Sequence, residues 1–238
     1  MTRESQKELE VIYAGIASKL LKEEWIIEPS PNEKDWPDLI IRVGDKSFGL
    51  EVRNVFKDEG LSGSKLKKNE SHRMKLIQTL SQMYYGVSDI PISLKINGHL
   101  SSEILDEIIA EVLKEIPFLG DFGRKNIVIN NRNTKLYIYR LPKIVGTYNC
   151  WQYVGDYVGW PSTLRVEDIE KPIRQKEEKI TKYLKNLSNI CLLLVLDRTK
   201  NSGRIEIPEK LAINSSKFDD IYLLSYPEKA VKLKCNEQ

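Results

Sequence analysis

Residues 36–53 read WPDLIIRVGDKSFGLEVR, and their pattern is the most informative about the structure of the first part of the chain. Apolar and polar side chains alternate on both sides of Gly44-Asp45, a pattern that predicts two β-strands joined by a tight turn. Glycine in the first turn position favours a type II′ hairpin. Counting outward from that turn places Asp38 directly opposite Glu51 on the neighbouring strand.

The two opposed carboxylates are the first chemical signal in this hairpin. Strand alternation puts Asp38, Glu51 and Arg53 on one face, and most of the apolar side chains on the other. Carboxylates that face each other with Cβ atoms about 4.5–5.5 Å apart repel. A divalent cation between them reverses the repulsion, and Mg²⁺ is commonly held by one or two carboxylates with waters and phosphate oxygens. The alternative is a pair of solvated carboxylates on an exposed sheet face, and the spacing alone leaves both open.

The segment resembles the PD-(D/E)xK nuclease superfamily through Pro37-Asp38, the short hairpin and Glu51-Val52-Arg53. The resemblance implies a restriction-endonuclease-like core, in which a mixed central β-sheet is flanked by helices. It implies that Asp38 and Glu51 are metal ligands and that Mg²⁺ or Mn²⁺ is the cofactor. The implied reaction is hydrolysis of phosphodiester bonds, usually in DNA. A homodimer is a further expectation, because enzymes that cut both strands of a duplex are commonly dimers.

Arg53 departs from the superfamily pattern, which has a lysine at this position. A lysine can hold or help to deprotonate the attacking water, whereas arginine stays charged and cannot act as a base. Arginine can still bind a phosphate oxygen and stabilise developing negative charge. Either another basic residue takes the place of the lysine, or the site binds nucleic acid or a protein partner without cutting.

The helix predicted over 168–187 offers such a basic residue. Lys176 falls within the apolar stripe of this helix, whereas Lys179 lies about a quarter-turn away from it. Lys176 could extend past the core to solvent, or it could reach the carboxylate face of the sheet. Similar members of the superfamily carry a lysine-bearing helix just before a buried strand, and Tyr183 fits that arrangement.

A third acidic candidate lies in the first predicted helix. The resemblance implies that a glutamate from this helix approaches the metal. Glu8 shares a polar face of the helix with other charged side chains, whereas Glu10 shares a face with Ala14 and Ala17. A face of small residues favours burial, so the prediction is Glu10 rather than Glu8.

A basic stretch at 62–75 is the candidate nucleic-acid surface, and it contains Lys65, Lys67, Lys68 and Arg73. Lysines that contact phosphates bind without reading base sequence, and their affinity falls with salt. The glycines of the preceding Gly60–Gly63 loop would allow close approach of the backbone to a phosphate. The alternative is an ordinary solvated helix face.

The composition of the whole chain sets the remaining expectations. The 238 residues are 41 % hydrophobic with a net charge of +3, which excludes an intrinsically disordered protein. The apolar runs are short, the amino terminus is polar and the three cysteines match no zinc pattern, so a cytoplasmic protein without a membrane partner is expected. The order of elements predicts one α/β domain over 1–238, with an irregular insertion at about 142–165. Helices are predicted over 4–24, 64–85, 101–115 and 168–187, and strands over 25–28, 38–43, 46–56, 91–96, 126–130, 135–141, 190–196 and 220–226.

Overall fold

The computed structural model describes residues 3–32, 34–57, 63–129, 133–158, 160–213 and 216–235. Its helices are α1 (Arg3–Leu21), α2 (Lys65–Tyr85), α3 (Leu105–Glu115), α4 (Val166–Glu177) and α5 (Ile180–Tyr183). Its strands are β1 (Ile26–Pro29), β2 (Leu39–Val43), β3 (Lys46–Asn54), β4 (Ile92–Asn97), β5 (Arg124–Ile129), β6 (Thr134–Arg140), β7 (Gln152–Tyr153), β8 (Ser162–Thr163), β9 (Ile190–Asp197), β10 (Ile205–Glu206), β11 (Ala212–Ile213), β12 (Ile221–Tyr226) and β13 (Lys229–Cys235). None of the helices in the described ranges combines the length and the apolar character needed to cross a membrane.

The chain forms two compact units. The first consists of Met1–Ser64 and Trp160–Gln238, and the second is the continuous segment Lys65–Gly159. One domain over 1–238 stays a prediction, and the order of helices and strands does not by itself show that the middle segment has a sheet and an apolar core of its own. The irregular stretch predicted at 142–165 begins in the second unit and ends in the first.

The first unit is built on a mixed sheet with the strand order β1-β2-β3-β9-β12-β13-β11. The pairs β3–β9 and β9–β12 are parallel, whereas β1–β2, β2–β3 and β12–β13 are antiparallel. Strand β9 is almost entirely buried, as its continuous apolar sequence favours for a central strand. The predicted mixed α/β class is confirmed.

The hairpin β2–β3 has the predicted register. Leu39 pairs with Leu50, and Val43 pairs with Lys46. The turn residue Gly44 has a φ of 57°, whereas Asp45 has no positive φ. A type II′ turn needs a positive φ only at its first central residue, so the predicted turn type is also confirmed.

Helices cover both faces of this sheet. On one face, Tyr13, Ala14 and Ala17 of α1 pack in a cluster with Leu39 and Leu50. On the other face, buried side chains of α4 and α5 pack against β9 and β12. The face of the hairpin that carries Glu51 is therefore covered, which excludes the alternative of an exposed face for that carboxylate.

The single helix predicted over 168–187 is divided into α4 and α5. At the break, the backbone N–H of Lys179 donates to the carbonyl of Lys176, and the N–H of Lys182 donates to the carbonyl of Lys179. These three-residue turns replace the four-residue hydrogen bonds of a continuous α-helix. Strand β13 is also absent from the prediction, because Lys229–Cys235 contains three lysines and resembles an exposed tail.

The packing at Gly49 gives a prediction for stability. An added Cβ would lie 2.5 Å from Pro37 Cγ and 2.9 Å from Leu187 Cδ1, whereas nothing lies within 4 Å of the equivalent point at Gly120. We expect Gly49→Ala to lower the free energy of unfolding by about 1–3 kcal/mol through overpacking, and Gly120→Ala to leave it nearly unchanged. Urea denaturation of both variants measures the difference. Equal stability of the two variants would contradict the packing described here.

The second unit contains a sheet with the strand order β5-β6-β4-β7. Helices α2 and α3 pack against one face of it, where Leu80 and Ile108 join a fully buried cluster with Leu94, Leu136 and Ile138. The described part of the stretch 142–158 adds only short turns and the two-residue strand β7.

Candidate active site

Asp38 and Glu51 meet at the hairpin in the first unit. Asp38 directly precedes β2, and its Oδ2 accepts a hydrogen bond of 2.9 Å from the backbone N–H of Val52. That hydrogen bond fixes the Asp38 carboxylate against the strand that carries Glu51. Glu51 lies within β3 and is only 1 % exposed. Burial of a carboxylate to this extent is rare unless it is paired.

Lys176 of α4 supplies the pairing. Its Nζ lies 2.5 Å from Glu51 Oε1 and 3.6 Å from Asp38 Oδ2, and its side chain is 16 % exposed. Of the two alternatives for Lys176, the structure thus has the lysine reaching the carboxylates. Lys179 lies further out, with its Nζ 3.8 Å from Glu51 Oε1 and 53 % of its side chain exposed. Asp38, Glu51 and Lys176 are called the Asp38–Glu51–Lys176 cluster below.

Glu10 of α1 lies close to this cluster. Its side chain is buried, whereas Glu8 is exposed, as the face argument predicts. Glu10 Oε1 accepts a hydrogen bond of 2.9 Å from Gln6 Nε2 and lies 3.8 Å from Arg3. Arg3 also lies 3.8 Å from Asp38 Oδ1, so one guanidinium links Glu10 to Asp38.

The charges in this region act on one another. Burial raises the pKa of Glu51, and the charge of Asp38 raises it further, while Lys176 opposes the rise. Burial likewise raises the pKa of Glu10, with Asp38 again the next contribution. The pKa of the Tyr183 hydroxyl is raised by burial first, and then by the charges of Glu51 and Asp38. Asp38 raises the pKa of both glutamates, so its negative charge acts on both carboxylates, and a cation beside them would be stabilised.

Two carboxylate oxygens lack a hydrogen bond. Glu10 Oε2 and Glu51 Oε2 are both buried, and neither makes a hydrogen bond of regular geometry within the described parts of the chain, although the Tyr183 hydroxyl lies close enough to act on the Glu51 carboxylate. An unsatisfied buried acceptor costs about 1–3 kcal/mol, so such atoms are uncommon unless something else binds them. The negative charge of Asp38 acts on both of these glutamates. The region is therefore a candidate site for a positively charged ligand that carboxylates can bind.

A hard divalent cation fits this donor set. The carboxylate oxygens of Asp38 and Glu51 are the type of ligand that Mg²⁺ and Mn²⁺ prefer. Across the described ranges, no group of three or more His, Cys, Asp or Glu side chains is close enough to hold a metal ion unaided. Asp38 and Glu51 would therefore supply part of the coordination, and waters and substrate oxygens would supply the rest, as is usual for Mg²⁺.

Arg53 lies on β3, two residues after Glu51, and is half-buried. Its guanidinium NH2 group lies 3.4 Å from Gln175 Oε1 of α4, the residue before Lys176. Arg53 therefore helps to attach the lysine-bearing helix to the strand. Its role towards a phosphate stays a prediction.

The basic stretch lies in the second unit. Lys65, Lys67, Lys68 and Arg73 all belong to α2. Arg73 donates to Asp156 Oδ1 at 2.9 Å from Nε and at 2.5 Å from the NH2 nitrogen. Its guanidinium carbon also lies 4.7 Å from the centre of the Tyr153 ring. Arg73 is thus engaged inside the unit. Most of the Gly60–Gly63 loop lies outside the described residues, which omit 58–62.

Arg3 and Gln6 contact Glu10, and neither contact is among the predictions from the sequence. Arg3, Gln6 and Glu10 follow one another at intervals of three and four residues, which places them on one face of α1. That spacing was a usable signal, because polar residues on a face that otherwise carries buried alanines need partners.

The raised pKa of Glu10 gives a prediction for pH dependence. The native state keeps the Glu10 proton to a higher pH than the unfolded chain does. The contribution of Glu10 to the free energy of unfolding therefore falls as pH rises from 4.5 through the raised pKa of this group. We therefore expect Glu10→Gln, measured in EDTA, to gain stability relative to wild type as pH rises through that interval. Urea denaturation at about pH 4 and about pH 8 measures the change. The exposed Glu8→Gln is the matched control, and a pH-independent difference for Glu10→Gln would contradict the burial of its charge.

Comparison with known proteins assigns no family or function to this chain. The chain matches no protein-family model, no curated protein and no solved structure. The resemblance to the PD-(D/E)xK superfamily therefore rests on residues 37–53, and the case for a function rests on the side chains described above.

Proposed function

We propose that this chain is a metal-dependent nuclease that hydrolyses phosphodiester bonds in DNA, and that its first unit is a restriction-endonuclease-like core. The observation that carries the proposal is the Asp38–Glu51–Lys176 cluster, in which one ammonium lies within 4 Å of two carboxylates from a single hairpin. Lys176 compensates part of the negative charge of this pair, but the buried Oε2 of Glu51 lacks a hydrogen bond of regular geometry, which costs stability. A bound divalent cation would offset that cost, which favours a chemical role for the arrangement.

Asp38 and Glu51 would hold Mg²⁺ or Mn²⁺. Glu10 would be a further ligand, because its buried Oε2 makes no hydrogen bond with the described residues. A divalent ion in such a site lowers the pKa of bound water and polarises the phosphate. The hydrogen bond from the Val52 N–H holds Asp38 in place, and Lys176 holds Glu51. Fixed carboxylates of this kind keep an ion in one position relative to a substrate.

Lys176 would perform the task of the superfamily lysine. It reaches the carboxylates from a helix rather than from the strand position that Arg53 occupies. Unlike arginine, a lysine can exchange a proton with a water molecule at accessible pH. Its positive charge would also compensate the negative charge that develops on a phosphate during hydrolysis.

The alternative is a catalytically silent nuclease fold that binds nucleic acid or a protein partner. Arg53 at the lysine position favours it, because the strand itself carries no base there. The lysines of α2 would serve either function, since contacts to phosphates position nucleic acid without cutting it.

A cleavage assay distinguishes the two functions. The purified chain is incubated with supercoiled plasmid, single-stranded DNA and RNA, each with Mg²⁺, Mn²⁺ or EDTA. The proposal predicts cutting of DNA that requires Mg²⁺ or Mn²⁺. Absence of cutting with retained binding in a gel shift would support the silent fold, and cutting of RNA alone would contradict the choice of DNA. Light scattering in the same buffers tests the expected homodimer.

A further inference from the structure

The sheet of the second unit has one covered face and one open face. Helices α2 and α3 bury the side that carries Leu94, Ile96, Leu136 and Ile138. Side chains alternate along each strand, so the residues between these positions point to the opposite side. Most of them are exposed, which shows that this outer face is open to solvent.

The strand register fixes which side chains are neighbours on the outer face. Arg124 of β5 is paired with Tyr139 of β6. Tyr137 of β6 lies two residues away and is paired with Lys95 of β4. Lys135 follows at the next outward position of β6. Each of the two tyrosines therefore has a cation directly across from it, on a different neighbouring strand.

The outer face carries positive charge without compensation. Lys95, Arg124 and Lys135 are exposed, and none of them forms an ion pair with another described residue. The other positions on this face hold no carboxylate; they are Ser93, Asn97, Asn126, Val128 and Gln152. Lys125, which alternates to the other side of β5, is instead 3.1 Å from Glu115.

The two tyrosines complete the surface. Tyr137 and Tyr139 are half-buried, so part of each ring faces solvent. Neither hydroxyl is hydrogen-bonded to any residue that the structure describes. Other tyrosines of this unit behave differently, since Tyr84, Tyr85 and Tyr153 all donate to backbone carbonyls.

We propose that this outer face binds single-stranded nucleic acid. Aromatic side chains on an open sheet stack with unpaired bases, and neighbouring cations attract the backbone of the strand. The bases of a duplex are stacked inside it and cannot reach two rings on a flat sheet. The charge and the exposed rings stand independently of the active site, but the choice of nucleic acid over an acidic protein rests on the proposed function.

Binding of a fluorescein-labelled oligothymidylate by the full chain in EDTA tests the proposal, because no metal-dependent cleavage occurs there. We expect the double variant Lys95→Ala/Lys135→Ala to flatten the dependence of log affinity on log salt concentration by about 1.4, at about 0.7 for each lost contact. The matched control is Lys125→Ala/Lys143→Ala, which removes two lysines that lie outside the outer face. An equal change in the control would overturn the proposal.

A second pair of variants tests stacking. We expect Tyr137→Ala/Tyr139→Ala to weaken binding by about 30-fold or more, at about 1–3 kcal/mol for each lost stack, and Tyr137→Phe/Tyr139→Phe to retain it, because a phenyl ring also stacks. Thermal melts show whether the alanine variant is folded; if it is not, the lysine pair and the phenylalanine variant decide the matter. Equal competition by a blunt duplex or by polyglutamate, or no binding by wild type, would overturn the proposal.

The two proposals fail separately. Binding that persists in EDTA while no metal supports cutting would remove the nuclease function and leave the outer face in place. Metal-dependent cutting, together with binding that ignores the lysine and tyrosine variants, would remove the outer face and leave the nuclease.

Discussion

The Glu51→Gln variant is expected to lose Mg²⁺-dependent cleavage of DNA by about 10³-fold or more. Glutamine keeps the shape of the side chain but removes the charge that would hold the metal ion. A bound metal contributes several kcal/mol to transition-state stabilisation in such reactions, and each 1.36 kcal/mol is a factor of ten in rate. Initial rates of plasmid nicking, measured with wild type and variant side by side, give the ratio.

Two comparisons make the result for Glu51 specific. Glu8→Gln removes an exposed carboxylate from the first helix and is expected to cut like wild type. Circular dichroism and a thermal melt establish that Glu51→Gln is folded, which is expected because the substitution is isosteric and Glu51 already costs burial energy. A folded Glu51→Gln variant that cuts at the wild-type rate would exclude Glu51 from the active site.

The Lys176→Met variant is expected to lose about 10²- to 10⁴-fold in the cleavage rate, the usual contribution of a positioned acid or base. Methionine keeps an unbranched apolar side chain of similar length, so the main change is the loss of the ammonium. Loss of that charge also lets the pKa of Glu51 rise further, because Lys176 lowers it in the wild type. Residual activity should therefore need a higher pH than the wild type needs.

Two variants separate the possible roles of Lys176. Lys182→Met removes an exposed lysine from the next helix and is expected to leave cleavage unchanged. Lys176→Arg keeps the charge without the capacity to exchange a proton. Full activity of Lys176→Arg would assign an electrostatic role alone, whereas full activity of Lys176→Met would contradict the proposal that Lys176 replaces the superfamily lysine.

The hairpin could be predicted because its signals are local. Alternation and the Gly44-Asp45 turn fix the register, and the register alone brings Asp38 and Glu51 together. The burial of Glu10 followed from the small residues on its helix face, which let α1 approach the sheet closely. In both cases neighbours within a few residues carry the information.

The rest of the site depends on contacts between distant parts of the chain. Helical periodicity placed Lys176 on the stripe that faces the sheet, but its hydrogen bond to Glu51 spans 125 residues. The choice between that contact and solvent is set by how α4 packs on the sheet, and the local sequence does not encode this. The compact unit Lys65–Gly159 cannot be read from local sequence for the same reason, because its apolar core forms only once β4, β5 and β6 are paired.

The claim that Asp38 and Glu51 form a divalent-metal site is tested most directly by calorimetric titration with Mn²⁺ near neutral pH. A metal site at these carboxylates predicts saturable binding to wild type, absent from Glu51→Gln and retained in Glu8→Gln. It also predicts weaker binding at lower pH, because the raised pKa of Glu51 lets protons compete with the metal. No binding to wild type, or equal binding to Glu51→Gln, would exclude a metal site at these carboxylates.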